Sequence, residues 1–225
     1  MQNPMKRAVI RELLDEDLGT PSEIAQSLRD LQRINQWFGG TQTTIQLLRR
    51  ITQSSKFKSL SLLEVGAGNG YVPITASRAL AAEGTDVRVT LLDRVPSHLP
   101  ESGVDVVVGD ALELPFRDGA FDVVSCSLLA HHFDAAELER FAGEALRVAR
   151  VAVLVNDIIR SRVHLAITYA GLPLFRSRMT WHDAPASVRQ AYTVEEMRSI
   201  VGRSSARKIE ISRHYLYRMG ILLWK

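Results

Sequence analysis

The 225-residue chain has a single cysteine, Cys126, which excludes an internal disulfide and a zinc site built on several thiolates. It also lacks any apolar run near the roughly 18 to 20 residues that a membrane span needs, so no stable membrane insertion is expected and only peripheral contact stays open. The first residues contain no continuous apolar stretch of the signal-peptide kind, and a cytoplasmic location is the default expectation. An excess of one charge sign is missing too. Lys and Arg number 28 against 25 Asp and Glu, a net charge of +3 spread along the chain, too little to argue for a nucleic-acid partner. With 46% apolar and 24% charged residues and no internal repeat, the composition excludes disorder and fits a globular chain that buries roughly 70% of its unfolded surface.

Three segments share one helix-start chemistry, in which a Thr or Asp side chain accepts from an amide three residues on while a Glu reaches back: Thr20 with Glu23, Asp134 with Glu137, and Thr193 with Glu196. The first, with Pro21 where a missing amide costs nothing, predicts a helix to about Phe38, stopped by Gly39 and Gly40. A second helix is expected over residues 42–51. No strand signal occurs in residues 1–55, which read as a helical N-terminal cap whose Ile24, Leu28, Leu31, Ile34 and Phe38 form an ordinary packing stripe.

From residue 59 the pattern changes. Strand-length apolar runs at 61–65, 87–92, 104–108, 121–125 and 151–155 alternate with helical windows at 73–83 and 135–149, as when crossover helices cover both faces of a parallel sheet. After Asn156 the rhythm breaks. A helix over 194–201 then leads to runs at 208–212 and 215–224 that read as an antiparallel pair. One domain is the economical reading of residues 1–225.

The first strand runs into Glu64-Val65-Gly66-Ala67-Gly68-Asn69-Gly70, where glycines at alternate positions let the chain turn sharply and a ligand approach it before the next helix. A dinucleotide fingerprint spaces its glycines G-x-G-x-x-G, whereas here the third comes one residue early and an acid, Glu64, stands two places before the first. A pyrophosphate beside Glu64 is disfavoured. A ligand with a carboxylate, an ammonium and a ribose fits better, because Asp93 ends the second strand where it can accept from two ribose hydroxyls. Asp110, after the third, can accept from an adenine amine. Asp122 reads as a surface or turn residue.

In their order, Glu64 to Gly70, Asp93, Gly109-Asp110-Ala111 with Leu114-Pro115-Phe116, residues 118–124, and Ser127 to Phe133, these pieces resemble the class I methyltransferases that use S-adenosylmethionine. The resemblance implies an α/β fold, a doubly wound, mainly parallel seven-stranded sheet with an antiparallel last strand. Its expected parts are the cap at 1–55, a cofactor-binding core at 59–157, a substrate lid at 158–192, and a closing helix with antiparallel strands at 193–225. It also implies S-adenosylmethionine as cofactor, with Glu64, Gly66, Ala67, Gly68, Asn69 and Gly70 at its methionyl part, Asp93 at the ribose, Asp110 at the adenine, and Arg94, Ala111 and Ser127 nearby.

Methyl transfer from a sulfonium is an in-line displacement with a neutral leaving group, so positioning dominates and a general base is optional. His131 and His132, after the fourth strand, are the candidate catalytic residues; a neutral imidazole could take a proton from a phenol or enol, and helical spacing lets only one of the two face the substrate. No metal is expected, because the carboxylate after the fourth strand that catechol-type relatives use is replaced by Ser125-Cys126-Ser127 and Asn156-Asp157 stands alone. The Asn/Asp-Pro-Pro-aromatic motif of base-methylating enzymes is absent here as well.

Residues 158–192 combine apolar Val163, Leu165, Ile167, Tyr169, Leu172, Leu174 and Phe175 with Arg160, Arg162, Arg176, Arg178 and Arg189, which suits an aromatic or apolar small-molecule acceptor bearing an acidic group. Residues 28–31, 35–40, 156–161, 182–183 and 187–193 are similar to a bacterial subgroup associated with quinone, polyketide or phenolic-lipid biosynthesis. The expected activity is methylation of a small aromatic or lipid-like metabolite, on oxygen rather than carbon. The rivals are an NAD(P)-dependent oxidoreductase and a relative that binds the cofactor without catalysis. Oligomeric state is not readable from the sequence.

Overall fold

The computed structural model describes residues 5–55 and 57–225; residues 1–4 of the expected cap, and with them part of the leader reading, lie outside it. The three helix-start boxes form as read. Thr20 caps α1 (Pro21–Trp37), Asp134 caps α4 (Ala135–Val148) and Thr193 caps α7 (Val194–Val201), each with both reciprocal bonds present. The second helix, α2 (Gly40–Ser55), is longer at both ends than expected, because the Gly39 carbonyl already accepts the Thr43 amide at 2.9 Å.

Among the described residues, seven strands build one sheet in the order β3-β2-β1-β4-β5-β7-β6. They are β1 (Ser59–Val65), β2 (Asp86–Asp93), β3 (Asp105–Val108), β4 (Phe121–Ser127), β5 (Ala149–Ile158), β6 (Lys208–His214) and β7 (Arg218–Trp224). The first five run parallel to one another, and β7 is antiparallel to both β5 and β6. The closing strand starts at Arg218 rather than residue 215, since Leu216 and Tyr217 take left-handed conformations (φ 49° and 59°) in the turn before it. Asp122 is a strand residue, accepting from the Ser61 amide and hydroxyl at 2.8 and 2.9 Å.

Alternation along β1 feeds two cores. Leu60 and Leu62 pack with α2 and α3 (Tyr71–Ala82) through Leu48, Ile51, Ala76 and Leu80, while Leu63 and Val65 pack with α4 and α7 through Leu138, Phe141 and Met197. Each of the larger of these side chains, the Leu, Ile, Val, Phe and Met, contributes about 1.5–3 kcal/mol when wholly buried. No helix among the described residues is long and apolar enough to cross a membrane.

Residues 158–192 fold into two helices, α5 (Arg162–Gly171) and α6 (Arg178–Gln190), capped by Ser161 and Ser177. They lie over the end of the sheet with α1, and the segment preceding α1 is stitched to α6: the Leu13 and Leu14 amides donate to the Asp183 carboxylate at 2.8 and 3.1 Å. Strand order reverses between β1 and β4, so the carboxyl ends of β1, β2 and β4 open into one crevice beneath these helices.

Candidate functional site

The turn after β1 is held by three left-handed glycines, Gly66, Gly68 and Gly70 (φ 66°, 51° and 71°), a conformation that side chains rarely adopt. Close packing adds a second reason at two of them: a Cβ on Gly70 would stand 2.4 Å from Leu91 Cδ1, and one on Gly66 2.9 Å from Leu129 Cδ1. On Gly68 it would meet nothing closer than 3.7 Å, so the loop exposes its middle backbone. Asn69 accepts the Tyr71 amide at 3.2 Å and helps start α3.

Asp93, at the end of β2, reaches across the turn. Its Oδ2 accepts the Gly68 amide at 2.7 Å and its Oδ1 the Val95 amide at 3.0 Å, and each oxygen keeps a lone pair for a ligand. Arg94, Asp110, Ala111 and Ser127 line the same cleft of about 190 Å³ with Gly66, Gly68 and Asp93. Asp110 is exposed and accepts the Leu112 amide at 2.8 Å. Glu64, Ala67 and Asn69 line a pocket that adjoins it at Gly66, Gly68 and Ser127. Burial pushes the Glu64 carboxyl up to about 7, partly offset by the hydrogen bond that the Ser125 hydroxyl donates to it. Ser127 Oγ is buried with no hydrogen-bond partner among the described residues.

Beside this cleft a second cavity, about 170 Å³, opens under the helical roof. Its walls are chiefly apolar, with Leu31, Ile34 and Phe38 of α1 and its C-terminal end facing Ile167, Leu172 and Phe175. Of the α1 stripe expected to be ordinary packing, Ile24 is buried as expected, while Leu31, Ile34 and Phe38 are only half-buried and form a cavity wall. Leu14, Asp15, Leu31, Leu128 and His132 border both spaces and join them. Leu128 holds a left-handed conformation (φ 58°), fixed by its amide on the Asn156 carbonyl at 2.9 Å, a strain of the kind that functional sites retain.

His131 and His132 both edge this cavity, because residues 130–132 form a tight three-residue turn in which the ring centres lie 4.2 Å apart, the planes tilted by 34°, instead of fanning around a long helix. His131 is 2% exposed; its Nδ1 lies 2.7 Å from Asp157 and its Nε2 3.6 Å from Glu12. Burial by itself lowers the imidazole pKa, but the carboxylates of Asp157 and Glu12 outweigh it and raise His131 to about 10, an imidazolium at neutral pH. Burial raises the Asp157 carboxyl, and His131 more than compensates, leaving it below its ordinary value. His132 Nδ1 meets Asp15 at 2.6 Å.

The five arginines expected to meet an acidic acceptor do not line the cavity. Arg160 pairs with Glu196 at 2.5 Å, Arg178 with Glu23 at 2.5 Å, and Arg189 donates to the Tyr169 hydroxyl at 2.8 Å. Among the described residues the guanidinium at the wall is that of Arg218, 1% exposed, whose Nη2 donates to Asn35 at 3.1 Å and whose Nη1 has no partner. Burial lowers its pKa to about 10, so it stays charged. Sequence reasoning missed Glu12, Asp15 and Arg218 as site residues; the one trace was Asp157, noted as an isolated acid after the fifth strand.

Among known proteins, the methyltransferase domain family matches residues 63–153. An uncharacterized methyltransferase of Bacillus subtilis, YcgJ, is 31% identical over 93 residues, 40% of this chain and 36% of its own length. The match therefore spans about a third of that relative. Among solved structures, the PH0226 protein of Pyrococcus horikoshii superposes with a TM-score of 0.59 at 16% identity over 84% of this chain and 90% of its own. The magnesium protoporphyrin IX methyltransferase of Synechocystis, solved with bound SAH, superposes with a TM-score of 0.55 at 14% identity over 83% and 84%.

Proposed function

We propose that this chain, a class I methyltransferase by its domain match and its fold, is an S-adenosylmethionine-dependent enzyme that methylates a small aromatic or apolar acceptor on oxygen. The observation that carries the reading is the junction: the glycine-loop cleft and the apolar cavity meet at Leu128 and His132, so a donor and an acceptor bound in them are brought together.

The residues fit the cofactor. Glu64 is a buried carboxyl available to an ammonium, Gly68 leaves its backbone open to close approach, Ser127 has an unused buried hydroxyl, and Asp93 keeps lone pairs for ribose hydroxyls. Arg94, Ala111 and Asp110 complete the cleft toward the adenine, and Gly66, Ala67, Asn69 and Gly70 shape the turn. When bound, S-adenosylmethionine supplies an electrophilic methyl group on a cationic sulfur.

The chain's own contribution is mainly alignment, which can supply about 7–11 kcal/mol once two reactants are held in line. The roof helices exclude water from the acceptor and present Ile167, Leu172 and Phe175 to its apolar body. Arg218 receives an acidic group on the acceptor. At the junction His131, charged between two acids, is a hydrogen-bond donor, and His132 is the imidazole able to accept the proton of a phenol. In this reading residues 1–55 cap the cofactor-binding core at 59–157, residues 158–192 are the lid, and 193–225 close the sheet. Incubation with S-adenosylmethionine carrying a labelled methyl group and a panel of alkylphenols, quinols and hydroxybenzoates tests it: label in an ether product supports the proposal, and no transfer to any member contradicts the acceptor class.

A further inference from the structure

We propose that Glu12, His131 and His132 form a binding site for one divalent transition-metal ion of the zinc type at the edge of the acceptor cavity. The donor set is two imidazoles and one carboxylate, and one ligating atom of each lies within 4.8 Å of the others. His131 Nε2 stands 3.6 Å and His132 Nε2 4.0 Å from Glu12 Oε1. Zinc–nitrogen bonds of about 2.0–2.1 Å in tetrahedral array put donors roughly 3.4 Å apart, a gap that small side-chain rotations close.

Three further observations point to a cation rather than to a structural ion pair. First, both imidazoles turn their Nδ1 atoms away from the cluster and onto carboxylates, Asp157 at 2.7 Å and Asp15 at 2.6 Å. This is the outer hydrogen bonding that fixes a metal-binding histidine's ring and raises its basicity. Second, His131 Nε2 is buried and has no hydrogen-bond partner among the described residues, although it faces the cluster. Third, the Glu12 carboxylate is held in place, its Oε1 accepting from the Ser187 hydroxyl and the Gln190 amide, both at 2.6 Å, so that its other oxygen, Oε2, is the one to ligate an ion. A ligating imidazole is neutral, so the ion displaces the proton that His131 holds between Asp157 and Glu12, and the three carboxylates then balance a dication.

Imidazole and carboxylate together suit zinc and its neighbours, whereas magnesium prefers an all-oxygen shell. Three protein ligands leave a coordination position open toward the cavity. An acceptor oxygen fits there; that role rests on the methyltransferase reading, while ion binding does not. His132 Nε2 cannot be both ligand and proton acceptor, so the same measurement decides between these two roles.

The test is calorimetric titration of the protein with zinc chloride, paired with elemental analysis after dialysis, on wild type, Glu12→Gln and His132→Ala. One equivalent bound by wild type, with affinity at least about tenfold weaker in both variants, is expected. No uptake by wild type, or uptake undiminished in both variants, overturns the site. If either variant fails to fold, Asp15→Asn and the cobalt(II) absorption spectrum of wild type substitute: weakened affinity and bands of a four- or five-coordinate ion support the site, and a spectrum of hexaaqua cobalt overturns it. Titration with S-adenosylhomocysteine on the same samples separates the two proposals. Zinc bound without it sinks only the methyltransferase reading, and the converse sinks only the metal site.

Discussion

Asp93 Oδ2 accepts the amide of Gly68 at 2.7 Å, so the acid at the end of β2 and the glycine turn after β1 are one device: the side chain proposed to hold the ribose also fixes the loop proposed to hold the methionyl end. Hydrogen bonds to a charged group contribute about 1.5–3 kcal/mol each. Asp93→Ala is therefore expected to weaken S-adenosylhomocysteine binding at least tenfold to a hundredfold, with Asp93→Asn less affected, as isothermal calorimetry would read. Unchanged affinity in Asp93→Ala would refute the assignment.

Gly70 and Gly68 separate strain from access. Gly70→Ala forces a left-handed alanine whose Cβ meets Leu91 at 2.4 Å, so a loss of more than about 2 kcal/mol in chemical denaturation is expected. Gly68→Ala carries only the conformational penalty of about 1–2 kcal/mol, since its Cβ meets no atom closer than 3.7 Å, but it intrudes on the cleft. That variant should fold and lose cofactor affinity. Equal stability losses in the two would contradict the packing argument.

Glu64 predicts a pH dependence with a definite sign. Its carboxyl is raised by burial from 4.5 to about 7, so between these values the folded chain keeps a proton that the unfolded chain releases. The resulting stability is fully present below pH 4.5 and is lost as pH rises through 7, at up to about 1.4 kcal/mol per pH unit. Glu64→Gln should flatten that decline. Cofactor affinity should increase with pH across the same window in wild type, as the carboxylate that meets a cationic ligand forms, and stay flat in the variant.

Arg218 is the residue proposed to select the acceptor's charge. A buried guanidinium with an unpartnered Nη1 should favour an acceptor carrying a carboxylate over its neutral counterpart. Comparison of 6-pentyl-2-hydroxybenzoate with 3-pentylphenol as methyl acceptors is expected to give at least tenfold higher kcat/KM for the acid, a preference that Arg218→Lys reduces. Equal use of both by wild type would remove Arg218 from acceptor recognition.

What the sequence made legible was local. Each capping box lies within four residues, β1 to β5 are short stretches rich in apolar residues, and Glu64, Asp93 and Asp110 sit at strand ends that the sheet brings together. What it hid was assembled across the chain. Glu12 reaches His131 over more than a hundred residues, and Arg218 enters the cavity wall only because the turn at Leu216 and Tyr217 places it at the start of β7. The roof helices were missed for physical reasons: α6 carries an internal Pro185 and buries polar Thr180, Asp183 and Gln190, and α5 buries no side chain, so neither shows the apolar stripe of a helix packed on a core. The arginines of residues 158–192 gave a charge pattern but no direction, and ion pairs such as Arg160 with Glu196 turned them away from the cavity.

The most direct test of the account is calorimetric titration of the purified chain with S-adenosylmethionine and, separately, with NADH. Saturable one-to-one binding of S-adenosylmethionine, abolished or strongly weakened in Asp93→Ala, with no heat from NADH, is the predicted result. Tight binding of NADH with none of S-adenosylmethionine would contradict it.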